Sequence, residues 1–396
     1  MTLCIFLFLL ILCFIFPNKE TDKARQSYII IASIVLILIS GLRNRAVGND
    51  TYAYIIRFQE MTSNSWREIF NSFWIQYFTP SADSGKDPGY ALFAKCISVF
   101  TTNEHIYLTI VALVFYIPLG ILFYRHSESV GELAICYSAY LFFYFTYLPN
   151  SAVRQTIAVA IIIVAFLRLE KDKVLQATLF ILFASTFHQS AIGVLLMIPL
   201  LKINKVFSVY YSFVIGFLIM LVFYQEVASF LASSNSIYDS YSNSDFYARD
   251  NAKPFLVFIA FLIFYLIGCF AQKNNDDGIG YRLAAYGMGM ALMLSPLIWY
   301  DPSAIRLTAY FGIWIGPFLA ISLRGYSLKG RTRLVILLLM MALFKAGRHP
   351  APYKFYWQEM NLHERYGQAG GPSEYHNPSI SIYYESIADQ HSLRQG

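Results

Sequence analysis

Charge is scarce in this sequence. Asp, Glu, Lys and Arg make up 14% of its 396 residues, whereas hydrophobic residues make up 57%. A soluble domain is about a quarter charged, so this composition excludes a soluble enzyme or binding module. Cysteine is also scarce: Cys4, Cys13, Cys96, Cys136 and Cys269 fall mostly within apolar runs and form no CxxC pair, which argues against a disulfide framework or a thiolate metal site. No Asp-x-Asp pair or carboxylate cluster suits Mg²⁺, so neither metal nor cofactor is expected. The formal charge of +6 is dispersed over short loops and forms no basic stripe interleaved with aromatics, so nucleic acid is not an expected partner. The N-terminal MTLCIFLFLLILCFIF lacks both a basic leader region and a small-x-small cleavage site, and it is expected to be a retained first span.

What the sequence does contain is apolar runs long enough to cross a hydrocarbon core about 30 Å thick. They fall near 2–16, 28–42, 106–124, 133–148, 153–168, 174–187, 190–201, 207–224, 254–271, 281–300, 303–323 and 333–345. The expected fold is therefore all-α, a polytopic integral membrane protein with about 12 transmembrane helices. Runs 174–187 and 190–201 are short, which implies tilt, local thinning or helices broken around a buried site. A transmembrane domain over 1–345 is followed by a polar C-terminal tail over 346–396.

The run 89–101 has Lys95 at its centre and suits an interfacial or re-entrant segment better than a span. If it does not cross, one face collects Lys19, Lys23, Arg25, Arg125, Arg168, Lys171, Lys173, Lys202, Lys205, Lys273, Arg324, Lys329, Arg331 and Arg333. The excess of Lys and Arg on the cytoplasmic side favours that topology. It places the N-terminus, the loops 43–105 and 225–253 and the C-terminal tail outside.

Basic residues left at outer helix ends run against this bias and require another reason. They are Arg43 and Arg45 in GLRNRAVGNDTYAY, Arg154 in YLPNSAVRQTIAVA, and Arg306 in SAIRLTAYFGIWIGP; His188 in ASTFHQSAIG lies at the same face. Guanidinium forks match phosphate oxygens, so several around one pocket point to an anionic, phosphate-bearing ligand. Histidine titrates near neutrality and can take a proton from a hydroxyl nucleophile. Asp50 and Asp87 can act as bases or hold arginines in place. Each residue also has a plainer reading. Arg43 and Arg45 can snorkel to lipid headgroups, and Arg154 can be satisfied by a carbonyl or lipid phosphate, although a cation at a helix start opposes the dipole. His188 can be a packing histidine beside a helix break, and Arg306 can pair simply with Asp301.

At these residues the sequence resembles the EpsG family of Wzy-like polysaccharide polymerases. GLRNRAVGNDTYAYIIRF, DPGYALFAK, SAVRQTIAVAI, FHQSAI and IRLTAYF occur in the family's order, the first four extending from Gly41 to Ile192. Asp87 stands where the family is associated more with glutamate. The resemblance implies a GT-C-type membrane glycosyltransferase in the bacterial inner (plasma) membrane, making O-antigen, capsule or exopolysaccharide. A growing glycan would pass from undecaprenyl pyrophosphate to the next lipid-linked repeat unit on the outer face. It further implies membrane lipid, a flippase and a chain-length regulator of the same pathway as partners. In that scheme Arg43, Arg45, Arg154, the adjacent Gln155 and Arg306 bind substrate, and His188 activates the acceptor. Arg154 takes part in the chemistry, with Asp50 or Asp87 as orienter or alternative base.

A lipid-linked oligosaccharide flippase is the competing class, since it also needs about a dozen spans and cations for pyrophosphate. A flippase needs polar groups through the depth of its bundle and often shows repeated halves, and neither is evident here. A membrane acyltransferase has no paired signature on the cytoplasmic side. The Tyr-rich, Ser-rich loop Ser233 to Asp250 is a candidate glycan contact, weighed against the ordinary enrichment of Tyr at membrane interfaces.

Overall fold

The computed structural model describes residues 1–15, 21–45, 47–48, 50–78, 87–203, 206–233, 253–271, 278–300, 305–324 and 353–358. Among them the chain is all-helical, 81% helix with no strand. The last span expected over 333–345, the loop residues 234–250 and most of the tail lie outside the described residues.

Local chemistry sets the helix ends. Thr21 caps α2 (Asp22–Gly41), its hydroxyl accepting from Ala24 N at 3.3 Å, and Asp22 complements the dipole in the first turn. Asn103 caps α6 (Glu104–His126) by accepting from His105 N and Ile106 N, and Arg125 and His126 occupy its last turn. Ser129 caps α7 (Val130–Phe143), accepting from Glu132 N at 3.2 Å, while the Glu132 carboxylate reaches back to Glu128 N at 2.8 Å, close to a capping box.

Three helical stretches among the described residues are long and apolar enough to cross a membrane: α2, α6 and Val209–Val227, which lies within α11 (Val206–Ser233). Ile305–Gly312 (α15) and Ile315–Ser322 (α16) make a fourth if taken as one span bent by 41°. Shorter apolar helices include α1 (Thr2–Ile15), α7, α9 (Val174–Phe187) and α12 (Lys253–Ala271). Among the described residues, fewer helices pass this test of length and composition than the twelve spans expected of the whole chain. The physical reason is that apolar runs break into pieces: the run 190–201 is a 3-10 helix, Gln189–Leu196, followed by the four-residue α10 (Met197–Leu200). The run 281–300 likewise divides into α13 (Ile279–Leu294) and α14 (Leu297–Tyr300). In the opposite sense, α11 continues past a break at Phe223 to Ser233, so the loop expected from 225 starts later.

Helices α7 and α13 are buried on nearly every side, as helices that are apolar all round must be. The surrounding helices leave apolar stripes uncovered: Ile30, Ile34 and Leu38 on α2, Leu175, Leu179 and Phe183 on α9, and Ile215, Ile219 and Val222 on α11. Contiguous exposed apolar surface of this extent suits lipid. Among the elements at the rim, α5 (Pro88–Ser98) has 11 residues, about 16 Å of helix, and lies against α3 (Thr51–Ser63), α4 (Trp66–Phe78) and α9. That is too short for a crossing, and Lys95 is buried with its ammonium donating to Met61 O at 3.0 Å.

Charge gathers at the two ends of the bundle. At one end Arg25 donates to Tyr124 O, Arg125 pairs with Glu170 at 2.9 Å, and Arg324 pairs with Glu128 at 2.8 Å and donates to His126 O. Lys23, Arg168, Lys171 and Lys173 belong to the same helix ends, and Arg282 joins the end to Leu201 O, next to Lys202. Arg43, Arg154, His188 and Arg306 are at the opposite end.

Between the ends, α2 and α6 approach closely. A Cβ on Gly41 would stand 2.8 Å from the backbone Cα of Thr109. Gly41→Ala is therefore expected to destabilise the protein by roughly 1–3 kcal/mol through overpacking, read as a lower thermal midpoint in detergent; an unchanged midpoint would show that the two helices separate without cost.

Candidate functional site

Arg43 sits two residues past the end of α2 and is fully buried. Its guanidinium donates to Ser40 O, to Thr51 Oγ1 at 3.4 Å and to Pro149 O at 3.3 Å. Thr51 in turn donates to Asn150 O at 2.9 Å. Gly48 tightens the same junction, because its φ of +86° is open to glycine and a Cβ there would fall 1.8 Å from Asn150 O. Burial lowers the Arg43 pKa to about 10, which leaves it cationic near neutrality. Arg43, expected to bind ligand, points its donors to main-chain carbonyls and Thr51, and no guanidinium surface faces solvent. Arg45, by contrast, is 57% exposed and lies 3.5 Å from Glu104.

The loop held by Arg43 leads directly into α8 (Val153–Leu169), whose second residue is Arg154. Arg154 pairs with Asp87 at 2.8 Å, both side chains largely buried, and its Nε donates to the Tyr54 hydroxyl at 3.2 Å. Its guanidinium also lies over the Tyr54 ring, 5.6 Å from the centroid. Tyr90 donates to Tyr54 O, and Tyr107 donates to the Tyr90 hydroxyl at 2.9 Å, so the pair rests on a buried chain of hydrogen-bonded tyrosines.

Both acidic residues stand at helix N-caps. Asp87 precedes Pro88 at the start of α5, and Asp50 precedes α3. An N-cap carboxylate ordinarily accepts a backbone N–H of its own helix, but neither does so here. Asp87 reaches Arg154 from a left-handed backbone conformation, φ 62°, which is uncommon for a non-glycine residue and frequent where function overrides local preference. Asp50 faces Arg306 at 3.7 Å, both about a third exposed. Asp301, the partner expected for Arg306, lies outside the described residues.

Gln155 joins α8 to α15: its amide donates to Arg306 O, and its carbonyl accepts from the Tyr147 hydroxyl. His188 lies at the break between α9 and the 3-10 helix, in extended backbone, φ −157°. Its Nδ1 is 2.7 Å from Ser190 Oγ and 3.1 Å from the Tyr310 hydroxyl. The start of α5 touches the end of α9, since a Cβ on Gly89 would stand 2.4 Å from Thr186 Oγ1. Asp87, Arg154, Asp50, Arg306, Gln155 and His188 thus meet at one end of the bundle, although they span the chain from residue 50 to 306.

Tyr54, Tyr147, Ser190 and Tyr310 went unmarked by residue-level reasoning, which sought charge. The signal was present nonetheless. Tyr54 lies in GNDTYAY, Tyr147 at the head of YLPNSAVRQT, Ser190 in FHQSAI and Tyr310 in IRLTAYF. Among the described residues no group of three or more His, Cys, Asp or Glu is arranged to hold a metal ion.

The two ion pairs differ in exposure, and this decides their energetics. Removing Asp87 strands a buried guanidinium, a loss of roughly 3–5 kcal/mol. Removing Asp50 breaks a solvated pair worth at most about 1 kcal/mol. Asp87→Ala should therefore lower the thermal midpoint well below that of Asp50→Ala, and equal losses would show that burial does not set the strength of these pairs.

No curated protein and no solved structure matches this chain. The EpsG family model matches residues 26–347, which include every element of the site described above. The chain belongs to the EpsG family, and it is a membrane protein.

Proposed function

We propose that the protein is a Wzy-like polysaccharide polymerase that transfers a growing glycan from undecaprenyl pyrophosphate to the next lipid-linked repeat unit. Family membership points to a polymerase of polysaccharide biosynthesis with glycosyltransferase-like chemistry. The observation that carries the finer reading is the gathering of Arg154, Arg306 and His188 at one end of an otherwise apolar bundle. The opposite end collects Arg25, Arg125, Arg168 and Arg324, and by the bias of Lys and Arg toward the cytoplasm it is the inner one. The site then faces outward from a multi-pass protein of the bacterial inner membrane.

In this mechanism the acceptor sugar hydroxyl attacks the anomeric carbon of the donor glycan. A glycosidic C–O bond forms, the C–O bond to pyrophosphate breaks, and lipid pyrophosphate leaves with the electron pair. The hydroxyl proton passes to His188, whose Nδ1 is steadied by Ser190 and Tyr310. Negative charge developing on the leaving group is stabilised by the fixed guanidinium groups of Arg154 and Arg306, with Arg45 at the exposed rim. Asp87 and Asp50 orient these arginines. Gln155 holds the Arg306 backbone in place, and Arg43 braces the loop that leads to Arg154. In cells the reading calls for a flippase to supply the repeat units and a chain-length regulator acting on the product.

Reconstitution with a defined lipid-linked repeat unit is expected to yield a ladder of polymers. Arg154→Ala and His188→Ala should each abolish or greatly reduce it at unchanged membrane level, and an unaltered ladder from either variant would overturn that residue's assignment. Because the arginines supply the positive charge, a chelator such as EDTA should leave the ladder intact; its disappearance, restored by a divalent cation, would require a metal in the mechanism.

A further inference from the structure

Residues 353–358, YKFYWQ, have no part in the mechanism above, yet the fold returns them to the site end. Tyr356 N donates to Leu42 O at 3.0 Å and Asn44 N donates to Lys354 O at 2.9 Å, forming an antiparallel bridge between Arg43 and Phe355. The Tyr353 hydroxyl donates to Ile39 O, and the Asn44 amide donates to Gln358 O at 2.8 Å. The segment is thus fastened to the loop that carries Arg43, Arg45 and Asp50.

What it presents there is aromatic. Phe355 and Trp357 stack in parallel, centroids 4.7 Å apart and planes 5° from coincidence, and Tyr356 meets Trp357 edge-on at 4.9 Å. Trp357 is 60% exposed and Tyr356 49%, a large apolar surface to leave open at the rim. Its surroundings are polar: Lys354, Gln358, Asn44, and Arg45 with Glu104 beyond the His105 ring that packs against Tyr356 at 4.6 Å. A flat aromatic face bordered by amides and charges matches a pyranose ring, which offers an apolar C–H face and a girdle of hydroxyls.

We propose that Phe355, Tyr356 and Trp357 form a sugar-stacking platform that holds the glycan beside the transfer site. This rests on the polymerase reading for its purpose, since a polymer must be retained between transfers if it is to grow long. Two measurements on the full chain test it. The first is binding of lipid-free oligosaccharides released from the polymer of the producing cell. Trp357→Ala should weaken binding by about tenfold, whereas Trp357→Phe retains most of it. The second is the reconstituted ladder, which Trp357→Ala should shift to shorter chains without abolishing it, unlike Arg154→Ala. Wild-type binding and wild-type chain lengths in Trp357→Ala would overturn the platform, as would loss of membrane insertion with binding intact, the mark of an interfacial anchor. Oligosaccharide binding lost in Trp357→Ala, in a protein that makes no ladder at all, would remove the polymerase reading and leave the platform standing.

Discussion

The buried guanidinium of Arg43 is the interaction on which the site end depends. A charge without solvent must be met by acceptors, or the chain will not fold around it. Here the acceptors come from three places: Ser40 O at the end of α2, Thr51 at the start of α3, and Pro149 O in the loop before α8. Satisfying one side chain therefore brings three separate segments together. The backbone of the same residue pairs with Phe355, which adds the C-terminal segment. Arg43 thus acts as a brace for the segments that lead to Asp50 and Arg154.

Downstream of that brace, local helix chemistry is overridden twice in the same way. Asp50 and Asp87 occupy positions where a carboxylate normally caps its own helix, but both turn to arginines on distant elements. Proline at the start of α5 preserves the helix without the cap. Arg154 lies in the first turn of α8, where the dipole disfavours a cation, and the carboxylate of Asp87 offsets that cost. The result is a graded set of cations: Arg43 enclosed, Arg154 nearly so, Arg306 partly open and Arg45 exposed.

Several features were legible in the sequence for identifiable reasons. Scarce charge and long apolar runs imply a helical membrane protein because lipid leaves backbone polar groups no partner outside the helix. The anomalous basic residues stood out because they opposed the charge bias, and the structure brings them to one end. The helix break at His188 followed from small and polar residues interrupting α9. The number of crossings was less legible. Apolar composition reports burial, and a helix enclosed by other helices, such as α7 or α13, is as apolar as one that spans lipid.

Which arginine is enclosed and which is open could not be read from residue type, since Arg43 and Arg45 differ by two positions and share all their chemistry. Exposure separates them, and the enclosure of Arg43 is completed by Pro149 O, 106 positions along the chain. The sequence by itself determined the helical class, the membrane environment and the set of residues bearing charge, because these follow from local composition and period. Tertiary structure alone decided the pairings Arg154 with Asp87 and Arg306 with Asp50, and the return of YKFYWQ to the Arg43 loop. Those depend on long-range closure, where the need to satisfy buried charge selects one arrangement among many that the local sequence allows.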